Sequence, residues 1–193
     1  LATLTVLIGH AHIVFLGALL PGVLRDDLGI AAHQALDAAG GLTFAAGLAV
    51  AAGSLAAPRV AARLGPGRAM PVLMLASSAC LAFLPAMRDL ASFASMRILQ
   101  VLLVSPVITL AVVDVARIQF GQGLALLSAA RNLASFLAPV AATLLALALG
   151  TGAVDRILAA AGAVTAGLLA LGALVPVAQR VRVAGARRGG RAG

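Results

Sequence analysis

The sequence of 193 residues is poor in charge: only 10% of its residues are charged, and Lys and Glu are absent altogether. A soluble domain carries about 25% charged residues, so this chain has too few to cover a surface that faces water. Hydrophobic residues make up 62% of it, and the mean hydropathy is +1.10. The same composition excludes a disordered chain, which combines low hydrophobicity with high net charge.

Tyr and Trp are also absent, and Cys80 is the single cysteine. One cysteine excludes a disulfide framework and a Cys-based metal site, and we expect Cys80 to pack as a small apolar side chain. The net charge of +8 comes from 14 Arg and 6 Asp. A basic chain raises nucleic acid as a partner. Most of these arginines lie between apolar runs, however, so we expect a lipid bilayer and no nucleic acid.

The uncharged intervals predict six transmembrane helices, because a bilayer core about 30 Å thick needs roughly 20 apolar residues per helix. The interval between Asp37 and Arg59 holds 21 uncharged residues, and that between Arg68 and Arg88 holds 19. The fourth span must include Arg97. The predicted fold is an all-α membrane bundle over residues 1–178, with a basic cytoplasmic tail over 179–193. Its spans lie near 2–24, 38–57, 69–87, 91–115, 124–149 and 156–178.

The distribution of arginine predicts the orientation, since cytoplasmic loops are rich in Arg. Three arginines, each beside an Asp, fall in the odd-numbered loops, and nine fall in the even-numbered loops and the tail (Arg59, Arg63, Arg68, Arg117, Arg180, Arg182, Arg187, Arg188 and Arg191). We therefore expect both termini in the cytoplasm of a bacterial-type inner membrane. The first apolar run is too long for a signal peptide and lacks a basic start. The chain does not begin with Met, so we expect it to be a piece of something longer.

Few residues inside the spans are able to carry chemistry. Arg97 lies about two turns into the fourth span, and Gln100 shares its face; an arginine at that depth faces a cavity or a partner, or snorkels to the headgroups. His10 and His12 lie in the first span, about 200° apart around the helix, so only one of them is able to face a cavity and carry a proton. Asn132 opens the uncharged part of the fifth span. The sequence has no enzyme, metal or cofactor motif, and we expect none of these functions.

Asp114 and Arg117 lie one turn apart near the cytoplasmic end of the fourth span. One interpretation is a local ion pair. The other is a latch, in which Asp114 reaches the arginines of the loop between spans two and three and holds the cytoplasmic side closed.

Three segments resemble motifs of the major facilitator superfamily. The loop Pro58–Arg68 is similar to the family's G-x-x-x-D-R-x-G-R-R, with Arg63 and Gly65 matching, Arg68 one position late and Ala62 in place of the acid. Arg97 and Gln100 resemble R-x-x-Q-G. The run Ala134–Ala142, with Ala138 and Pro139, resembles the G-x-x-x-G-P-x-x-G of antiporter members, with Ala for each Gly.

The resemblance implies one six-helix half of such a transporter, and the C-terminal half is favoured by the degenerate loop and the Arg-rich ending. It implies secondary active transport of a small molecule by alternating access, by efflux coupled to protons, together with a second six-helix half. Arg97, Gln100, His10, His12 and Asn132 are then expected at the cavity. A cytoplasmic gate and a helix bend are expected at two further groups of residues: Arg59, Arg63, Gly65, Arg68, Asp114 and Arg117 for the gate, and Ala134, Ala138 and Pro139 for the bend. The alternative is a membrane remnant or assembly subunit that does not transport.

Overall fold

The computed structural model is all-helical over the residues that it describes. These are 1–118 and 121–189 for the backbone, without the side chains of Pro66, Ile118 and 174–189. Seven α-helices follow one another: α1 (Ala2–Val14), α2 (Leu16–Asp26), α3 (Ala32–Leu64), α4 (Pro66–Phe83), α5 (Leu90–Ile118), α6 (Gln122–Leu149) and α7 (Thr151–Gly189). A short 3-10 turn, Leu84–Ala86, follows α4.

Six segments of these helices are long and apolar enough to cross a membrane, which indicates an integral membrane protein and confirms the predicted number of spans. Span 1 consists of α1 and α2; spans 2 to 5 are α3 to α6, and span 6 is the Thr151–Ala173 part of α7. The orientation of the bundle in the membrane stays a prediction, as does the basic tail over 179–193, all of whose side chains lie outside the described residues.

The helices run further than the apolar intervals that predict them. The uncharged interval predicts span 2 over 38–57, yet α3 continues through Pro58 and Arg63 to Leu64. The expected loop with its arginines is therefore mostly helix, and only Gly65, at φ +83°, separates α3 from α4. The difference arises because charged residues mark where a span leaves the bilayer but do not end the helix itself. A residue with positive φ, such as Gly65, does end it.

The start of α5 shows a local capping arrangement that the sequence supplies directly. Asp89 accepts hydrogen bonds from the Ser92 hydroxyl at 2.6 Å and from the Ser92 amide at 2.9 Å. These bonds hold the pKa of the Asp89 carboxyl below its ordinary value. A carboxylate at this position satisfies amides that the first helical turn leaves without partners.

Span 1 has a local irregularity near its middle. Phe15, between α1 and α2, is fully buried, keeps helical dihedral angles (φ −58°, ψ −38°) and donates its amide to the Ala11 carbonyl oxygen at 3.0 Å. Six residues later Pro21 lies inside α2 and has no amide hydrogen to donate. The first span is thus one helical segment with a local irregularity at Phe15, called the joint below, which lies beside the Arg97 side chain of span 4.

The spans pack in a pattern with an internal exchange symmetry. Span 4 packs on spans 1, 2 and 3, span 1 packs on spans 4, 5 and 6, and span 3 packs on span 6. The remaining packed pairs are neighbours in the chain: 1 with 2, 2 with 3, 4 with 5 and 5 with 6. The set is unchanged when spans 1, 2 and 3 are exchanged with spans 4, 5 and 6. Since successive spans alternate in direction, the two groups of three have opposite orientations.

Glycine permits a close contact between spans 2 and 4. At Gly53 of α3, an added Cβ would lie 2.7 Å from the Leu102 carbonyl oxygen and 2.9 Å from the Ser105 Cβ of α5. Small residues at such positions let membrane helices approach closely, because lipid provides no hydrophobic drive for their association.

Candidate functional site: a buried polar centre

Arg97 is the centre of a polar cluster in the interior of the bundle. Its side chain is 3% exposed. Nη1 donates to the His12 carbonyl oxygen at 2.8 Å, and Nη2 donates to the Ile13 carbonyl oxygen at 2.5 Å. The guanidinium also lies over the Phe15 ring, with Cζ 5.3 Å from the ring centroid, a distance that suits a cation–π contact. Arg97 therefore binds the joint of span 1 from span 4.

The fork of Arg97 on two successive carbonyls offers a cause for the joint itself. A side chain that inserts among the backbone carbonyls is one of the recognised causes of a break in a helix. Arginine suits this role because its donors lie in a rigid planar fork. Backbone carbonyls carry no residue identity, so no sequence pattern indicates them as partners.

Gln100 continues the cluster toward span 3. Its Oε1 accepts a hydrogen bond from Arg97 Nη1, and its Nε2 donates to Ser77 Oγ at 3.0 Å. The expectation that Arg97 and Gln100 share a face is therefore confirmed, since the two side chains are bonded one turn apart. Both Gln100 and Ser77 are fully buried.

His12 completes the cluster toward span 6. Its Nε2 donates to the Leu158 carbonyl oxygen at 2.9 Å, and its Nδ1 lies 3.5 Å from Ser77 Oγ. With Nε2 as the donor, Nδ1 is left as an acceptor for the Ser77 hydroxyl. A directed series of hydrogen bonds thus runs from Arg97 through Gln100, Ser77 and His12 to the backbone of α7, and it joins spans 1, 3, 4 and 6.

Gly162 of α7 makes room for this cluster. A Cβ at this position would overlap Ser78 Oγ and would lie 2.5 Å from His12 Cε1. The histidine ring occupies the space of the missing side chain, so the sequence of α7 and the position of His12 depend on each other.

A groove of about 340 Å³ lies beside Arg97. Residues of spans 1 and 2 line it together with Arg97, among them Gly17, Leu20, Thr43, Gly47 and Val50. Its walls are otherwise almost entirely apolar. The arginine is thus the one charged group that the groove offers to a molecule within it, as far as the described residues show.

Arg97 has no carboxylate within 4 Å among the described residues. In that part of the chain, the side-chain ion pair is formed by Arg25 and Asp26. Among the carboxylates that the structure describes, Asp155 is the one that is buried. Asp155 is 7% exposed, its Oδ1 has no hydrogen-bond partner in the described part of the chain, and it lines a cavity of about 360 Å³. The arginine distribution predicts Asp155 in an outer loop beside Arg156; it is instead buried in the second turn of α7.

His10 and Asn132, both expected at the cavity, lie apart from the polar centre. His10 is half-buried, and its Nε2 lies 2.8 Å from Ser135 Oγ of span 5. Asn132 is exposed on α6. The expected divergence of the two histidines is confirmed, because His12 contacts spans 3 and 6 and His10 contacts span 5.

The residues predicted as a cytoplasmic gate cluster at one end of the bundle without joining one another. Arg59, Arg63 and Arg68 are exposed, and so are Asp114 and Arg117. Asp114 forms no ion pair with Arg117 or with the three other arginines, all of whose side chains the structure describes. Neither the local ion pair nor the contact expected of a latch is formed in this structure.

The antiporter-like segment lies in α6. Ala134 is buried, Ala138 and Pro139 are half-buried, and the two alanines line a small apolar cavity between spans 1, 5 and 6. Thr143 Oγ1 donates to the Pro139 carbonyl oxygen at 2.9 Å. No family model, no curated protein and no solved structure matches this chain.

Proposed function

We propose that this chain is one six-helix half of a secondary transporter of the major facilitator type, which moves a small molecule across the membrane by alternating access. The observation that carries the proposal is the buried charge of Arg97, which lies in the wall of an apolar groove without a carboxylate partner. An intramembrane arginine is energetically unfavourable and usually marks a pathway or a ligand site.

The packing pattern supports the same proposal. Each half of these transporters is built from two inverted repeats of three helices. The exchange of spans 1, 2 and 3 with spans 4, 5 and 6, which leaves the packed pairs unchanged, is what such a repeat would produce.

The hydrogen bonds of Arg97 define what it offers a substrate. A guanidinium has five N–H donors, and three of them are used by His12, Ile13 and Gln100. Nε–H and one Nη2–H remain for an acceptor. We propose that a carboxylate, phosphate or carbonyl oxygen of the substrate takes these donors when the substrate lies between this bundle and a second one.

Movement between the two open states would then bend the first span at Phe15, with Arg97 as the fixed point. Arg59, Arg63 and Arg68 would stabilise the closed cytoplasmic side through Asp114, which is free to pair with them. Outward transport coupled to protons is proposed from the antiporter-like run Ala134–Ala142.

Proteoliposomes that hold the full-length transporter, with this chain as one of its halves, and a trapped pH dye test this proposal by a screen of substrate classes. Compounds with carboxylate, phosphate and neutral polar groups are added one at a time. We expect proton movement with at least one compound class, its loss in Arg97→Ala and Arg97→Lys, and its retention in Arg88→Ala, which removes an exposed arginine. No proton movement with any compound, or a normal rate in Arg97→Ala, would contradict the proposal.

A further inference from the structure

A long groove lies between spans 3 and 6 and shares no lining residue with the polar centre. Its volume is about 910 Å³. One wall is the first half of α4, with Pro71, Val72 and Leu75, and the other is the small-residue face of α7, with Ala163, Gly167 and Ala170. The groove is open because the residues of α7 that face it are small. The exposed side chains of Val72 and Leu75 make its surface apolar.

The groove has the length of one bilayer leaflet. It extends along α4 from Gly65 to Leu75, which at 1.5 Å per residue is about 15 Å. A bilayer core is about 30 Å thick, so one leaflet contributes about half of that. A groove of these dimensions on a membrane helix would be filled by a hydrocarbon chain.

One end of the groove is basic. Arg68 lines it there, is exposed, and has no carboxylate within 4 Å in the described part of the chain. The first turn of α4 begins at the same end, where Pro66 has no amide hydrogen and the Gly67 amide is one of the helix's first donors. The N-terminus of a helix and an arginine both favour a phosphate.

We propose that this groove binds an anionic phospholipid, with one acyl chain along α4 and α7 and the phosphate at Arg68. The apolar groove would bind the acyl chain. The positive charge of Arg68 would favour an anionic headgroup over a zwitterionic one. Arg59 and Arg63 lie at the same end of the bundle but do not line the groove, so they add general attraction without a specific contact.

Lipid-dependent thermal unfolding of the full-length protein in detergent micelles tests the proposal, with dioleoyl-phosphatidylglycerol and dioleoyl-phosphatidylcholine as probes. We expect the melting temperature to rise more with phosphatidylglycerol than with phosphatidylcholine. Arg68→Ala should remove that difference, whereas Arg59→Ala, which removes the same charge at the same end, should keep it.

A second variant fills the groove. A Cβ at Gly167 meets nothing within 4 Å, so Gly167→Leu should fold normally and lose the stabilisation by both lipids, while Gly40→Leu, equally open but on span 2, should not. Glycerol phosphate without acyl chains should give no stabilisation; if it does, the site binds free phosphate groups and the lipid proposal is wrong. Equal effects of the two lipids, or an unchanged lipid preference in Arg68→Ala, would overturn the proposal.

Discussion

The guanidinium of Arg97 donates to the backbone carbonyl of His12 across 2.8 Å, although 85 positions separate the two residues in the chain. The same histidine sends its ring into a pocket between spans 3 and 6. The backbone carbonyl of His12 thus binds the charged side chain of Arg97, while its ring contacts spans 3 and 6. The joint at Phe15 and the polar centre are therefore linked through this one residue.

Gly162→Ala should destabilise the protein, because the new methyl group would overlap Ser78 Oγ and would meet the His12 ring at 2.5 Å. Overpacking of a filled interior costs about 1–3 kcal/mol. Thermal unfolding in detergent measures the loss. Gly167→Ala is the matched control on the same helix, since its Cβ has no neighbour within 4 Å. Equal melting temperatures for the two variants would show that His12 does not occupy this space.

Gly53→Ala should separate spans 2 and 4. The added Cβ would lie 2.7 Å from the Leu102 carbonyl oxygen, and a backbone atom is not free to turn away. We expect a loss of about 1–3 kcal/mol in the free energy of unfolding, against almost no change for Gly41→Ala on the same helix, where the space is open. A stable Gly53→Ala protein would contradict the close packing of these two spans.

The two histidines of span 1 should differ in their contribution to stability. His12→Ala removes the side-chain donor to the Leu158 carbonyl and one partner of Ser77, and it creates a cavity at a fully buried position. We expect it to cost about 1–3 kcal/mol. His10→Ala, at a half-exposed position, should cost less than about 0.5 kcal/mol. Urea or thermal unfolding distinguishes these values, and a reversed order would place the polar centre on the other face of α1.

The sequence predicts the fold better than the site. Six spans follow from the uncharged intervals, because a bilayer restricts where charge is allowed. The position of Arg97 in one of those intervals singles it out for the same reason. The helix ends are less predictable: α3 continues to Leu64 because nothing before Gly65 requires a helix to stop.

The partners of Arg97 lie beyond sequence reasoning. Two of them are backbone carbonyls. Nothing in the sequence distinguishes Ser77 from the other serines of the spans, and Gly162 is one of 21 glycines. In the sequence alone, Asp155 is one of the aspartates that stand beside an arginine of an odd-numbered loop. Only the packing of α7 on spans 1 and 3 shows that it is buried.

The most direct test of the central claim is whether the groove beside Arg97 holds water at some point in the transport cycle. Cys80 is the single cysteine, so Cys80→Ala gives a background for Gly47→Cys, where a new side chain meets no atom within 4 Å. In membrane vesicles with the full-length protein, we predict that a membrane-impermeant maleimide labels position 47. Leu144→Cys, at an exposed position on α6, is the lipid-facing control and should not react. If position 47 resists the reagent from both sides as Leu144→Cys does, Arg97 faces lipid or protein and the account of a transport cavity is wrong.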